Sequence, residues 1–173
     1  MLANNYHFDF NKTLGKVLTL LNIAEVKRRE LIGQVKDFFL QRVKNMMGEQ
    51  NLRYDVIDAV LGVEEESDFA DMFTRAHAVA AYLETAEAAD SIQAFTRVVN
   101  ISKKAGDEKL IKESLFVIEA EKELYAKVLH VQKAALPLLM VYDYGSVLEL
   151  TNELKNPVNN FFDTAMVMDP DEN

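Results

Sequence analysis

The stretch Phe69-Ala-Asp-Met-Phe-Thr-Arg-Ala-His-Ala-Val-Ala-Ala-Tyr-Leu83 decides the fold class of this chain. Its apolar side chains recur three and four positions apart, the spacing that places them on one face of an α-helix. Ser67 or Asp68, just before it, can cap the first helical turn. The stretch therefore predicts an amphipathic helix that packs its apolar face against other helices.

The same helical periodicity recurs on both sides of this stretch. No segment alternates convincingly with a period of two, so the sequence predicts an all-α bundle of about seven or eight helices. Pro137 should kink or break one helix near residues 133–136, whereas Pro157 should open the last one. The other helices are predicted around residues 14–21, 31–47, 54–61, 92–101, 124–139 and 147–154.

Length and composition favour one soluble domain. The chain has 173 residues with only three prolines and six glycines. So few helix-breaking and turn-forming residues favour long helices. It has no cysteine, which excludes disulfides and thiolate metal sites and is compatible with a reducing cytoplasm. No apolar run approaches the ~20 residues that span a bilayer, and the N-terminus lacks a signal pattern. We therefore expect a cytoplasmic protein with no membrane partner.

Acidic and basic side chains are segregated along the chain. The net charge of −9 argues at first against an RNA-binding role, since phosphate contact depends on lysine and arginine. However, residues 25–53 carry seven basic and four acidic side chains, and residues 97–112 carry five and two. Residues 55–90 carry one basic side chain against ten acidic ones. Solvated helix faces are the simpler explanation of such runs.

Catalytic and metal-binding patterns are missing from the sequence. There is no glycine-rich phosphate loop, and His7, His77 and His130 lie far apart without zinc-binding spacing. Asp55 and Asp58 could contact a hard cation, but capping and ion pairing are favoured because no further carboxylates surround them. We therefore expect no catalytic and no metal-binding residue in this chain.

The fifth helix carries the residues that favour RNA binding. At ~100° per residue, Arg97, Asn100 and Lys104 share one face, with Lys103 beside them, and Lys109 extends the basic patch. Cations contact phosphates and amides can read base edges, so this set suits unstacked bases in an RNA loop. The opposite side, with Phe95, Val98 and Val99, is expected to pack. A polar outer face of a packed helix is the alternative.

Three ordered motifs resemble the bacterial glycyl-tRNA synthetase β subunit. They cover most of the chain, and their order is hard to obtain by chance. The motifs are Glu49-Gln-Asn-Leu-Arg-Tyr-Asp-Val-Ile-Asp-Ala-Val-Leu61, Phe95-Thr-Arg-Val-Val-Asn-Ile-Ser-Lys-Lys104 and Asn156-Pro-Val-Asn-Asn-Phe-Phe-Asp-Thr-Ala-Met-Val-Met-Asp169.

This resemblance implies a tRNA-binding role. Enzymes of this type are α2β2 tetramers in which the α subunit activates glycine with ATP and Mg²⁺, while the β subunit binds tRNA. The matching region is the anticodon-binding domain, a helical bundle similar to that of arginyl-tRNA synthetases. The implied partners are the glycine tRNA anticodon arm, the rest of the β subunit and the α subunit, but not DNA. The fragment itself should lack catalysis and cofactors.

The resemblance carries over to this chain residue by residue. We assign its second motif to tRNA binding and the other two motifs to packing. The motif residues are Arg53, Asp55 and Asp58 in the first, Arg97, Asn100, Lys103 and Lys104 in the second, and Phe161, Phe162 and Asp163 in the third.

Some residues depart from the family pattern. Asn51 replaces a glycine, Thr96 a frequent lysine and Ser102 an apolar residue. The chain also stops at Asn173, where the family continues into a further helix. Residues 1–173 are thus expected to form a single anticodon-binding domain, excised from a longer β subunit and truncated before its last helix.

Two other classes of function compete with RNA binding. A helical scaffold that docks to the rest of the synthetase would use the acidic stretches as its contact surface. Salt-dependent binding of glycine tRNA by the isolated chain distinguishes the two. A helical hydrolase is disfavoured because the sequence offers no metal-binding constellation.

Arg42 falls inside the apolar stripe of the second helix, between Phe38, Val35 and Met46. A guanidinium there is costly unless it is paired or reaches water. We hypothesise that Arg42 pairs with Asp55 or Asp58 and fixes the angle between two helices; the alternative is that it reaches solvent past the stripe.

Overall fold

The structure is a computed structural model that describes residues 7–63, 68–103 and 111–165. Within these residues it is all-α, with eight α-helices, two short 3₁₀ turns and no strand, which confirms the predicted fold class. The helices are α1 (Phe10–Leu20), α2 (Glu25–Glu49), α3 (Tyr54–Leu61), α4 (Phe69–Leu83), α5 (Ala88–Ser102), α6 (Glu119–Met140), α7 (Tyr144–Thr151) and α8 (Lys155–Thr164). The 3₁₀ turns are Glu113–Leu115 and Asn152–Leu154.

The chain divides into two compact units, Met1–Ala80 and Ala81–Asn173, and the division falls inside α4. Each unit has its own buried side chains. That residues 1–173 act as one anticodon-binding domain stays a prediction.

The core of the first unit is built on aromatic rings and methionines. Phe10 of α1 lies 5.2 Å from the ring of Phe39 on α2 and 5.0 Å from that of Phe69 on α4, measured between ring centroids. Met47 and Met72 are completely buried. The apolar face that the sequence predicted for α4 therefore packs against α1 and α2.

Left-handed residues end three of the helices. Asn22, Asn51 and Tyr142 follow α1, α2 and α6 with φ of 54°, 60° and 59°. After α2, the Asn51 N–H donates to the Gly48 carbonyl and the Leu52 N–H donates to the Met47 carbonyl, the bond pair of a Schellman motif. Glycine is the usual residue at such a position and asparagine the usual substitute. The conformation therefore explains why asparagine can replace the family's glycine at position 51.

The proposed pairing of Arg42 is wrong. Asp55 is held by Arg53 at 2.6 Å and Asp58 by Lys44 at 2.6 Å, while Arg42 is exposed and lies over the Phe38 ring at 6.0 Å.

The physical reason for this error is the width assumed for the apolar stripe of α2. Phe38 and Met46 are 61% and 37% exposed, whereas Val43 and Met47 are buried. The buried stripe thus excludes the side of the helix that carries Arg42, and the guanidinium reaches solvent without the desolvation cost that pairing would have offset.

The second unit is held together by packing and by polar contacts that include a junction at Asn152. Val131 and Ala135 of α6 and Val158 of α8 are buried. The side-chain oxygen of Asn152, between α7 and α8, accepts hydrogen bonds from the Ser91 hydroxyl at 2.8 Å and the Tyr82 hydroxyl at 2.5 Å. This junction joins the end of α4, α5 and the start of α8.

Pro137 does not break α6. The helix continues through it to Met140. Proline lacks one backbone donor, so α6 loses a single i→i−4 hydrogen bond at this position, and the helix continues for only three more residues. The expected break is therefore wrong, while a bend remains a prediction.

Candidate nucleic-acid interface

The predicted RNA-binding face lies on the exposed side of α5. Arg97 and Asn100 are exposed on the helix, and Lys103 is exposed immediately after it. The buried side of the same helix consists of Ala88, Ser91 and Ala94. Lys104 and Lys109, which belong to the same predicted set, lie outside the described residues.

The packed side of α5 differs from the predicted one. Phe95 is half-buried as expected, but Val98 and Val99 are 38% and 49% exposed, so two of the three large apolar side chains expected to pack are more exposed than predicted. Small side chains at positions 88, 91 and 94 are buried instead, because they let a neighbouring helix come close. A pattern search that weighs large apolar residues misses a stripe of alanine and serine.

Arg97 connects two of the sequence motifs in space. Its guanidinium carbon lies 4.7 Å from the centroid of the Phe162 ring on α8. Its Nη1 donates to the Asn159 side-chain oxygen at 3.4 Å, and its Nη2 lies 3.8 Å from Asp163 Oδ1. The second and third motifs therefore meet at one arginine. Its side chain remains 44% exposed.

A polar groove runs between α5 and α8 beside Arg97. Its volume is about 380 Å³. Lys155 crosses it, with its Nζ 3.4 Å from Asp90 Oδ2. The lining residues are Asp90, Gln93, Ala94, Arg97, Lys155, Asn156 and Asn159.

Most residues of this groove were missed by the sequence reasoning. One signal was available: Gln93, Arg97 and Asn100 are spaced i, i+4 and i+7, so the predicted face continues towards the start of α5. The contribution of α8 could not be read from spacing, since it depends on how two helices pack.

The two phenylalanines of the third motif are half-buried on α8. Their rings lie 5.5 Å apart. The Phe162 ring packs against the guanidinium of Arg97. Phe161 lines an apolar cavity of about 330 Å³ together with Phe116 and Tyr125. These contacts describe packing against neighbouring elements.

The remaining candidates have ordinary surroundings. His7 contacts Asp68 at 3.1 Å, His77 contacts Gln50 at 2.8 Å, and His130 lies 3.9 Å from Glu153. In the described segments, no group of three histidine, cysteine or acidic side chains could hold a metal ion.

None of the helices in those segments is long and apolar enough to cross a membrane.

Comparison with known protein families identifies the second unit. Residues 91–173 match the family described as the DALR anticodon binding domain. The match begins inside α5 and contains Arg97, Asn100, the α8 side of the groove and the third motif. The class to which residues 91–173 are similar is thus that of anticodon binding domains, and the described part of these residues is all-α.

Curated relatives identify the family more closely. The chain is 39% identical to the glycine–tRNA ligase beta subunit of Clostridioides difficile (strain 630) over 164 residues, which cover 95% of this chain and 24% of that protein. It is 34% identical to that of Oenococcus oeni (strain ATCC BAA-331 / PSU-1), with coverage of 95% and 24%. For Desulforamulus reducens the identity is 33%, over 83% of this chain and 20% of the relative.

Over 83–95% of its length the chain is thus similar to glycine–tRNA ligase beta subunits, which confirms the resemblance that the three motifs predicted. It spans about a fifth to a quarter of the length of these curated relatives.

Proposed function

We propose that this chain recognises the anticodon of glycine tRNA as part of a glycine–tRNA ligase beta subunit, and so contributes to glycyl-tRNA aminoacylation. One observation carries the proposal. The region that matches the DALR anticodon binding domain contains the exposed face of α5 and all the residues that line the polar groove except Asp90.

The chemistry of this region supports RNA as the ligand. The chain as a whole is acidic, yet residues 97–112 hold five basic and two acidic side chains. Cations approach phosphates, whereas amides such as that of Asn100 can hydrogen-bond base edges. Anticodon loops expose unstacked bases, the form in which proteins read RNA sequence.

The wider assembly is part of the same proposal. The chain would work with the rest of the beta subunit and with a second subunit that binds ATP and Mg²⁺ and activates glycine, in an α2β2 enzyme of the cytoplasm. The chain itself would supply recognition.

Binding of a glycine anticodon stem-loop at several salt concentrations tests the proposal. Affinity should fall as salt rises, because cations of the protein displace counterions from phosphates. Lys103→Ala should reduce the salt slope by roughly one unit if Lys103 contacts a phosphate. Lys133→Ala is the matched control, since Lys133 is exposed on α6, away from the groove lining.

The competing function is docking within the synthetase through the acidic stretch 55–90. Equal salt slopes for both lysine variants would remove the α5 face from the interface. Absence of any salt-dependent binding, combined with capture of the remaining synthetase subunits, would favour the docking scaffold instead.

A further inference from the structure

We propose that the groove between α5 and α8 holds one unstacked RNA base and that Gln93 and Asn156 read its edge. The inference rests on the proposed function and deepens it, because it separates the residues that read a base from those that contact phosphates.

Charge balance makes the groove unsuitable for a phosphate. Lys155 lies 3.4 Å from Asp90, and Arg97 lies 3.8 Å from Asp163. Each cation that borders the groove thus has a carboxylate beside it. A phosphate would meet both signs of charge, whereas a neutral polar group is not repelled.

Amide groups remain available for such a neutral ligand. In the part of the chain that the structure describes, the side chains of Gln93 and Asn156 are exposed and make no hydrogen bond. Each amide presents both a donor and an acceptor, the combination that can form paired hydrogen bonds to the edge of a base. Asn159 is already engaged through its oxygen by Arg97.

The size of the groove also suits one base. Its volume of about 380 Å³ lies at the lower end of the ~300–1,000 Å³ typical of small-ligand sites. The Arg97 guanidinium borders it and is held against the Phe162 ring at 4.7 Å. Guanidinium planes are surfaces on which proteins stack unpaired RNA bases. Asn100 is exposed about one helical turn after Arg97 on α5.

Base discrimination by amide variants tests this inference. Gln93→Ala, Asn156→Ala and the double variant are measured against a glycine anticodon stem-loop and against loops with one anticodon base replaced at a time. Gln132→Ala, an exposed glutamine of α6, is the control. Discrimination at one position should fall about 5- to 100-fold in the double variant, since a paired amide contact distinguishes bases to this extent. The salt slope should stay as in the wild type.

The outcomes separate this inference from the proposed function. Salt-dependent binding with unchanged discrimination in the double variant would overturn the base pocket and leave anticodon binding intact. A flattened salt slope would also overturn it, because it would make the groove a phosphate site. A wild-type chain that binds no stem-loop would overturn the proposed function itself. Both amides are exposed, so melting curves of the variants should match the wild type.

Discussion

At the scale of single residues, Asn51 shows how a departure from a family pattern has a local cause. The sequence shows that asparagine stands where the family motif has glycine, but it does not show the backbone conformation at this position. The structure gives it φ of 60° in the Schellman motif that ends α2. A residue with a Cβ is strained there, and asparagine tolerates the strain better than most others.

Substitutions at position 51 should therefore follow backbone strain. Asn51→Gly should leave the free energy of unfolding unchanged or raise it, whereas Asn51→Val should lower it by ~1–2 kcal/mol because of the left-handed conformation. Asn45→Val, at an exposed position inside α2, is the control. Urea denaturation measures all three variants. Equal losses for valine at positions 45 and 51 would contradict the assignment.

Experiments can distinguish two roles of Arg97, contact with RNA and packing against Phe162. It was predicted from the sequence as an RNA contact, and it also packs on Phe162 beside Asp163. Asp163→Asn removes a neighbouring negative charge and keeps the side-chain shape. If Arg97 contacts RNA, this variant should bind the anticodon stem-loop more tightly at low salt, because Arg97 is then less neutralised.

The matching loss of affinity is expected from Arg97→Ala, with a salt slope lowered by less than about one unit because Asp163 partly neutralises the guanidinium. Titrations of both variants at two ionic strengths provide the comparison. If Asp163→Asn binds like the wild type while Arg97→Ala only lowers the melting temperature, Arg97 serves packing alone.

At the scale of helices, the sequence predicts most of the architecture but not the faces that touch. Periodicity finds all eight helices of the described segments, because it records which residues could face a core. It does not record how closely two helices approach, so the small-residue stripe of α5 and the groove with α8 were missed. For α2, the exposed Phe38 and Met46 made the apolar face look wider than it is.

The junction at Asn152 should control how α5 and α8 stay together. Asn152→Ala leaves the fully buried Ser91 hydroxyl without its acceptor, which should cost ~1–3 kcal/mol of unfolding free energy. Ser91→Ala should cost less, because Asn152 still accepts from Tyr82. Chemical denaturation of both variants is the measurement, and a larger loss for Ser91→Ala would contradict this ranking.

Asp143 should stabilise the start of α7 in a pH-dependent way. Its carboxylate accepts from the Ser146 hydroxyl at 2.7 Å and from the Ser146 N–H at 3.1 Å, and these bonds lower the pKa of Asp143. Because the folded-state pKa lies below the unfolded value of about 3.8, the contribution is present above that value and lost as pH falls through the folded-state pKa.

The melting temperature tests this cap. Asp143→Ala should melt below the wild type at pH 7, and the difference should shrink as the pH falls below about 3.8. Asp37→Ala, at an exposed position within α2, should show little change at either pH. A difference for Asp143→Ala that persists unchanged in acid would contradict the role of its carboxylate.

At the scale of the whole molecule, the features that point to RNA gather in the second unit. That unit contains the DALR match, the α5 face and the polar groove. Basic residues cluster from position 97 to 112, while residues 55–90 are strongly acidic. Sequence alone places the start of the basic cluster on a helix and its end in the following loop, but only the packing of α5 with α8 shows that amides lie beside Arg97.

Competition between stem-loops tests anticodon recognition most directly. The chain is bound to a labelled glycine anticodon stem-loop and challenged with the same stem-loop, either unchanged or with its anticodon replaced. The unchanged competitor should displace the label at a concentration at least several-fold lower, since each mismatched base costs ~1–3 kcal/mol of binding free energy. Equal displacement by both competitors, or no binding of the label at low salt, would contradict recognition of the anticodon by this chain.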